Sequence, residues 1–215
     1  MREFLYTCLI GLMAGFSASA QNQYETGMEQ AFELWQAQKP VEAANLFERI
    51  ANAEEDEWLP FYYAAQIKVI ESFSMTDKSK KEQQLKEAQD LLNQAMTFAG
   101  EENVEVDILQ AMLHTSSLTM DPSFYGMKLS PVINNIYTQA LKEAPENPRV
   151  VLSKAEWDMG SAQFFGEDPA KYCDDLKRSL RLFEKDKPTV PFEPSWGKDR
   201  AEMLIARTCG DKKEE

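Results

Sequence analysis

The sequence contains few glycines and a single histidine, and both scarcities exclude kinds of site. With 9 glycines among 215 residues, the chain lacks a glycine-rich phosphate loop and a serine flanked by glycines. His114 is the only histidine, which excludes a metal site built from several histidines. The sequence also has no Cys-x-x-Cys pair. We therefore predict no cofactor and no metal.

Any catalytic triad in this chain would depend on His114. The hydroxyl residues Thr115 and Ser116 follow it on the same predicted helix, where adjacent side chains point in different directions. A nucleophile activated by a histidine has to meet it across the fold. We predict that His114 is a packed or partly exposed helix residue, and that the protein is not an enzyme.

Runs of β-branched residues with a period of two are absent, which argues against strands. Apolar residues recur instead at intervals of three and four, as in Leu46, Phe47 and Ile50. Proline stands where the first turn of a helix tolerates it at 39–40, 130–131, 147–148 and 168–169. The pattern predicts an all-α chain with helices near 24–38, 40–53, 58–74, 79–99, 103–119, 131–144, 148–163, 169–185 and 195–208.

Long apolar runs are also missing, apart from one at the start of the chain. Phe4 to Phe16 is an apolar stretch after Met1-Arg2, and Ala18-Ser19-Ala20 provides a small-x-small cleavage site. The stretch is shorter than the ~18 apolar residues of a membrane-spanning helix. We predict a signal peptide over 1–20, cleaved after Ala20; a buried N-terminal helix is the alternative. Gln21 stands where a lipid anchor needs cysteine, so the expected product is a periplasmic protein without membrane insertion.

Basic residues are outnumbered, and the formal net charge is −13. Such an acidic chain repels nucleic-acid phosphates and anionic lipids, so nucleic acid is not an expected partner. Acidic clusters lie at 54–57 and 101–102, where one predicted hairpin passes to the next. Paired carboxylates at a suitable separation hydrolyse glycosides, which leaves a glycan or cell-wall hydrolase as an alternative function. Solvated loop charge beside a helix N-terminus explains the same clusters.

Two cysteines remain after removal of the signal peptide. Cys173 and Cys209 are disulfide candidates in an oxidising compartment. A bridge would tie the last helix to the helix before the proline-rich link. Two separate buried thiols are the alternative, and their spacing in the sequence does not decide between the two.

The predicted helices pair into hairpins, and the pairs repeat. The second helix of each pair carries a small or apolar residue, a large one four positions later and another apolar one three positions after that. The four copies begin at Ala43, Ala88, Ile133 and Leu176, a period of about 45 residues. A fixed period of this size is typical of a helical solenoid. We predict hairpins at about 24–55, 58–100, 103–145 and 148–188, followed by a capping helix over 195–208.

This pattern resembles the tetratricopeptide (TPR) repeat. The first copy matches through Ala31, Leu34, Ala43 and Phe47, and the third ends in a Pro-Glu-Asn-Pro-Arg segment at 145–149 that is typical of repeat exits. Each copy is longer than the ordinary repeat of about 34 residues. The resemblance implies a TPR-like superhelix of about four elongated hairpins that binds proteins or peptides.

A narrower resemblance covers 118–209. Asp121-Pro122, the exit at 145–149, the Phe165-Gly166 turn and the closing segment 194–198 are similar to a group of exported TPR proteins from Bacteroidetes-type bacteria. That group is often glycine-rich after the Phe-Gly pair, whereas Glu167-Asp168 follows here. The resemblance implies the fold and the periplasm, and it carries no activity.

The resemblance also indicates where a partner would bind. In a TPR superhelix the first helix of each pair lines the concave face, and Met28, Phe32 and Trp35 form one stripe of the first helix. Such a stripe suits an extended or helical peptide. The same side chains could instead form the core of the first hairpin.

The turns inside the later hairpins are the second candidate surface. They are predicted at 74–79, 120–130 and 160–168, on the edge of a solenoid where insertions commonly bind. Two of them carry aromatic pairs, Phe124 with Tyr125 and Phe164 with Phe165. These rings could also fold back as lids over the hairpin ends. We predict a protein- or peptide-binding scaffold of the periplasm, with a structural subunit of an envelope complex as a further alternative.

Overall fold

The structure is a computed structural model that describes residues 22–54, 56–100 and 103–210. Within these ranges all regular structure is helical, as the apolar periodicity predicts. The predicted signal peptide over 1–20 lies outside the described residues, as do Glu55, Glu101 and Glu102 of the acidic clusters. The helices are α1 over 22–36, α2 Pro40–Ala53, α3 Trp58–Ser72, α4 Lys78–Ala99, α5 Val104–Met120, α6 Pro122–Glu143, α7 Pro148–Phe164, α8 Cys173–Phe183 and α9 Lys198–Thr208.

The helix starts follow local capping chemistry. The side chain of Asn147 accepts hydrogen bonds from the backbone N–H groups of Arg149 and Val150, and Pro148 occupies the first helical position. Asn103 caps α5 in the same way. Pro40 begins α2, as predicted, although Lys39 provides no side-chain cap.

The sixth helix begins nine residues earlier than the sequence indicates. The predicted start at Ser130-Pro131 is wrong, because Asp121 caps the helix and accepts from the Phe124 N–H at 3.1 Å, so Pro131 lies inside α6. The predicted turn over 120–130 is therefore mostly helix. The same signal, a capping residue followed by proline, occurs at both places, and the earlier one begins the helix.

Two C-terminal elements also differ from the prediction. The expected helix over 169–185 consists of a 3-10 turn, Pro169–Tyr172, followed by α8. The expected capping helix over 195–208 begins only at Lys198, after Gly197 in a left-handed conformation (φ 110°).

Consecutive helices pack on each other, most extensively α3 with α4 and α5 with α6. The first helices of neighbouring pairs also touch, α3 with α5 and α5 with α7. The repeated positions of the second helices form the core: Ala43, Phe47, Ala88, Leu92, Ile133, Tyr137, Ala140 and Leu176 are all buried. The periodic pattern read from the sequence is thus the buried stripe of α2, α4, α6 and α8.

Residues 184–197, which we call the strap, connect α8 to α9 without helix or strand. Three prolines, Pro188, Pro191 and Pro194, stand in the strap and disfavour regular structure because they lack a backbone donor. A disulfide joins Cys173 to Cys209, whose Cα atoms are 5.7 Å apart. It therefore closes a loop that contains the strap.

Candidate functional site

The stripe predicted to face an open groove on the first helix is covered. Met28 is fully buried, at 0 % exposure, so it is a core residue in this conformation and does not face a partner. Phe32 and Trp35 are half-buried and pack against the main core. The Phe32 ring contacts those of Phe47 and Tyr63, with centroids 5.2 Å and 4.7 Å away.

The strap supplies the cover. Its Phe192 ring lies 6.0 Å from Phe32, nearly parallel to it, and 6.0 Å from Tyr24 in an edge contact. The hydroxyl of Tyr63 donates a 2.7 Å hydrogen bond to the Phe192 carbonyl. The Trp196 indole N–H donates to the Tyr62 hydroxyl at 2.8 Å. This hydrogen bond joins the strap to α3.

These hydroxyl groups stay neutral. Burial raises the pKa of Tyr62 well above its ordinary value, and burial likewise raises the pKa of Tyr63. The phenol of Tyr63 therefore keeps its proton, and its hydrogen bond to the Phe192 carbonyl, to higher pH than an ordinary tyrosine would.

Where the strap begins, it meets the starts of α5 and α7. Arg149 is buried and bonds Glu105 Oε1 at 2.8 Å and Asp186 Oδ2 at 2.5 Å. Burial raises the pKa of Glu105, although Arg149 acts in the opposite direction. These groups line a cleft of about 260 Å³ with Trp58 and Glu193. Within the described residues Glu105 Oε2 has no hydrogen-bond partner. The cluster of Arg149, Glu105 and Asp186 joins α5, α7 and the strap. In the sequence these residues appear only as isolated charges.

The opposite edge of the molecule carries exposed aromatic side chains. We call this surface the turn edge and define it by Phe124, Tyr125, Met127, Phe164 and Phe165. Phe164 and Phe165 are 70 % and 75 % exposed, in edge contact with centroids 5.2 Å apart. Phe124 is 58 % exposed and meets Tyr125 at 4.9 Å, with the Lys128 ammonium 4.9 Å from its ring. These pairs do not fold back as lids.

Helix direction places the two aromatic pairs on the same edge. The ion pair of Arg149 with Glu105 holds the starts of α5 and α7 together, so both helices run towards the opposite edge. The C-terminal ends of α3 and α5 are also adjacent, because the Ser72 and Ser116 hydroxyls are 2.7 Å apart. Sequence reasoning missed Met127, which is 88 % exposed, because it expected 120–130 to be an irregular turn.

His114 does not meet a nucleophile in the contacts of the described residues. Its Nε2 lies 3.2 Å from the side-chain nitrogen of Gln110, which also bonds Gln89. Burial lowers the pKa of His114 from 6.5. Across the described ranges no group of three or more histidine, cysteine and acidic residues is arranged to hold a metal ion.

The acidic cluster before α3 is placed at a helix start. Burial raises the pKa of Glu57 in this cluster, and repulsion from the carboxylates of Asp56 and Glu54 raises it further. Glu57 is the residue immediately before α3. The carboxylates of this cluster thus adjoin a helix N-terminus, where negative charge is favourable.

No family model matches the chain, and no curated protein matches it. Across the residues that the structure describes, no helix combines the length and the apolar character needed to cross a membrane. Among solved structures, the HusA haemophore from Porphyromonas gingivalis is similar, with a TM-score of 0.74 and 23% identity over 89% of this chain and 94% of that chain. At this identity the likeness is one of fold: the all-helical arrangement described above is shared with that haemophore.

Proposed function

We propose that this chain is an exported, non-catalytic binding protein built as a TPR-like solenoid. The repeated hairpins, the buried stripe of the second helices and the contacts between neighbouring first helices support this architecture. The signal sequence read at 1–20 supports export to the periplasm. His114, the single histidine of the sequence, contacts Gln110 and meets no nucleophile in the contacts of the described residues, which argues against histidine-based catalysis.

The proposed ligand is a haem-type tetrapyrrole held at the turn edge. The observation that carries this proposal is the pair of exposed rings at Phe164 and Phe165. Exposed apolar clusters on a soluble protein commonly mark a binding site. The name of the similar structure, a haemophore, supports the choice of a flat aromatic ligand.

The turn edge offers phenyl rings on which a planar ligand can stack. Phenyl rings bind a planar aromatic ligand through their faces and edges, and Lys128 beside Phe124 supplies a cation for ligand carboxylates. The single histidine, His114, lies half-buried on α5 and bonds Gln110. Binding by stacking predicts that iron contributes little, so the metal-free porphyrin binds about as tightly as haem.

A spectroscopic titration tests this proposal. The chain without 1–20 is titrated with haem and with metal-free protoporphyrin, and the Soret band or the porphyrin fluorescence is followed. The Phe164→Ala, Phe165→Ala double variant is expected to lose at least about tenfold in affinity, since each deleted ring removes 1 kcal/mol or more of contact. Val41→Ala is the control, because Val41 is 69 % exposed on α2 and is not part of the turn edge.

The proposal fails if neither ligand gives saturable binding, or if the double variant binds like the wild type while keeping its helical circular dichroism. Equal affinities for haem and the metal-free porphyrin support stacking. Much tighter binding of haem alone contradicts it, because iron coordination would then dominate.

The exposed rings also favour a second candidate, a protein or peptide scaffold. Aromatic residues and methionine are enriched at protein interfaces, and Met127 and Phe124 are exposed on the same helix. A crosslinking pull-down from the periplasm compares wild type with the Phe164→Ala, Phe165→Ala variant. A partner captured by wild type and by Val41→Ala but lost by the double variant supports this function; a partner retained by all three argues against the turn edge.

A further inference from the structure

The strap is held against the first helices in the manner of a bound peptide. It carries three prolines and places Phe192 and Trp196 four positions apart against α1 and α3. Around Phe192 the chain turns, and the Glu193 N–H donates to the Val190 carbonyl at 3.3 Å. Both side-chain and backbone groups are engaged, since the Phe192 carbonyl accepts from Tyr63. Bound peptides are recognised in the same way, by hydrogen bonds to their main chain and by pockets for their side chains.

The backbone at Phe192 is strained. Its φ is 65°, a left-handed conformation that bulky residues rarely adopt. Such a conformation persists only where the surrounding structure over-determines it. Here Phe192 is the third residue of a turn closed by the Glu193 N–H, which donates to the Val190 carbonyl, and its ring contacts those of Tyr24 and Phe32. The turn therefore presents the phenyl ring to the aromatic groove formed by these residues and Tyr63.

Both ends of the strap are fixed. At its end, a side chain on Gly197 would approach Phe183 Cζ to 2.8 Å, so the chain passes close against α8. At its start, Asp186 bonds the buried Arg149. Near the middle, Glu193 accepts from the Thr189 and Val190 backbone N–H groups. The strap is thus a short segment that is tethered at both ends beside the groove.

We propose that the face of α1 and α3 lined by Tyr24, Phe32 and Tyr63 is a recognition groove for a proline-flanked peptide turn with an aromatic side chain, and that the strap is its built-in competitor. The groove is closed while the strap lies in it and opens when Phe192 leaves. This surface is separate from the turn edge, so the inference does not depend on the proposed tetrapyrrole ligand.

Tethering decides how strongly the strap competes. A short linker presents its segment at an effective concentration in the millimolar range. A peptide in solution therefore binds the wild type only weakly, and weakening the strap should raise its apparent affinity.

The test uses a fluorescein-labelled peptide with the sequence of residues 187–197, followed by fluorescence anisotropy. Phe192→Ala removes the ring that occupies the groove, so the strap of this variant competes less strongly. The variant should therefore bind the peptide at least about tenfold more tightly than the wild type. Val190→Ala is the matched control, because Val190 lies in the strap and is 53 % exposed; it should bind like the wild type. A peptide with alanine in place of its phenylalanine should not bind.

Equal binding of the peptide by wild type and folded Phe192→Ala overturns the proposal, as does the absence of saturable binding to the variant. If circular dichroism shows that Phe192→Ala is unfolded, Trp196→Phe replaces it. That variant removes the indole hydrogen bond to Tyr62 and should increase peptide binding in the same direction; unchanged binding contradicts the proposal.

Discussion

At the scale of single residues, one buried cluster of charged side chains links α5 and α7, the first helices of two neighbouring hairpins, to the strap. Arg149 lies between Glu105 and Asp186 and so joins α7 to α5 and to the strap. An ion pair this deeply buried adds little net stability over an apolar replacement, but removing one partner leaves an uncompensated charge. The cluster thus sets where the strap begins more than it stabilises the fold.

His114 allows a direct test of burial at residue level. Burial lowers its pKa from 6.5, so as the pH falls the unfolded chain takes up the proton before the folded chain does. The contribution of His114 to stability is therefore present above pH 6.5 and is lost as the pH falls through its folded pKa.

Because His114 is the single histidine, its ring protons give one titrating set in an NMR spectrum. We expect a midpoint below 6.5 in the folded protein and a midpoint near the ordinary value in urea. A folded midpoint at or above 6.5 would show that the ring is solvated or paired with a carboxylate.

At the scale of helices, α6 is the helix that departs most from the predicted hairpins. It has 22 residues and carries Pro131 in its interior, where proline donates no hydrogen bond and its ring crowds the preceding turn. The helix continues nevertheless because Asp121 caps its start and Ile133, Tyr137 and Ala140 are buried beyond the proline. Tertiary burial there outweighs the local cost. As a result, Phe124 and Met127 stand on a helix and form part of the turn edge.

Pro131 is exposed, so its replacement tests that balance. Pro131→Ala should raise the free energy of unfolding by about 1–2 kcal/mol, because the helical gain exceeds the entropy that proline removes from the unfolded chain. Urea denaturation followed at 222 nm measures the change. Val132→Ala, a neighbouring exposed position, is the control and should shift stability by only a few tenths of a kcal/mol. A destabilised Pro131→Ala would mean that the packing of α6 on α5 requires the local distortion.

At the scale of the whole molecule, the C-terminal region returns to the N-terminal hairpin. Phe192 contacts residues of α1, far earlier in the chain, and Trp196 contacts α3. The strap covers the face on which a peptide was expected, while the turn edge stays open. Of the two candidate surfaces, one is therefore exposed and the other is covered by the chain itself.

The disulfide stabilises this arrangement because it restricts the conformations of the unfolded chain. It closes a loop with a sequence separation of 36 residues, for which loop entropy predicts a stabilisation of about 3–4 kcal/mol. The Cys173→Ser, Cys209→Ser variant should lose that amount in urea denaturation, compared with the oxidised wild type. A thiol assay on the unfolded wild type provides the control and should find no free thiol once 1–20 is removed. A loss below about 1 kcal/mol would indicate that the unfolded chain is not restricted by the bridge.

The sequence by itself determined the helical class and most helix boundaries, because these depend on local signals. Asn147 before Pro148 marks a helix start wherever it occurs, and the spacing of Ala88, Leu92 and Ala95 marks a buried stripe without reference to other helices. The aromatic pairs at Phe124 and Phe164 were also located from sequence near the ends of hairpins, but the sequence left open whether they are exposed or fold back as lids.

Only the tertiary structure decided which candidate surface is open. Phe32 is covered because Phe192, about 160 residues later in the chain, folds onto it, and no local pattern encodes such a long-range contact. The same holds for Arg149, whose partners stand 44 and 37 positions away. The start of α6 was also decided only in the structure, since the sequence offers two capping signals, Asp121 and Ser130, and the helix begins after the first.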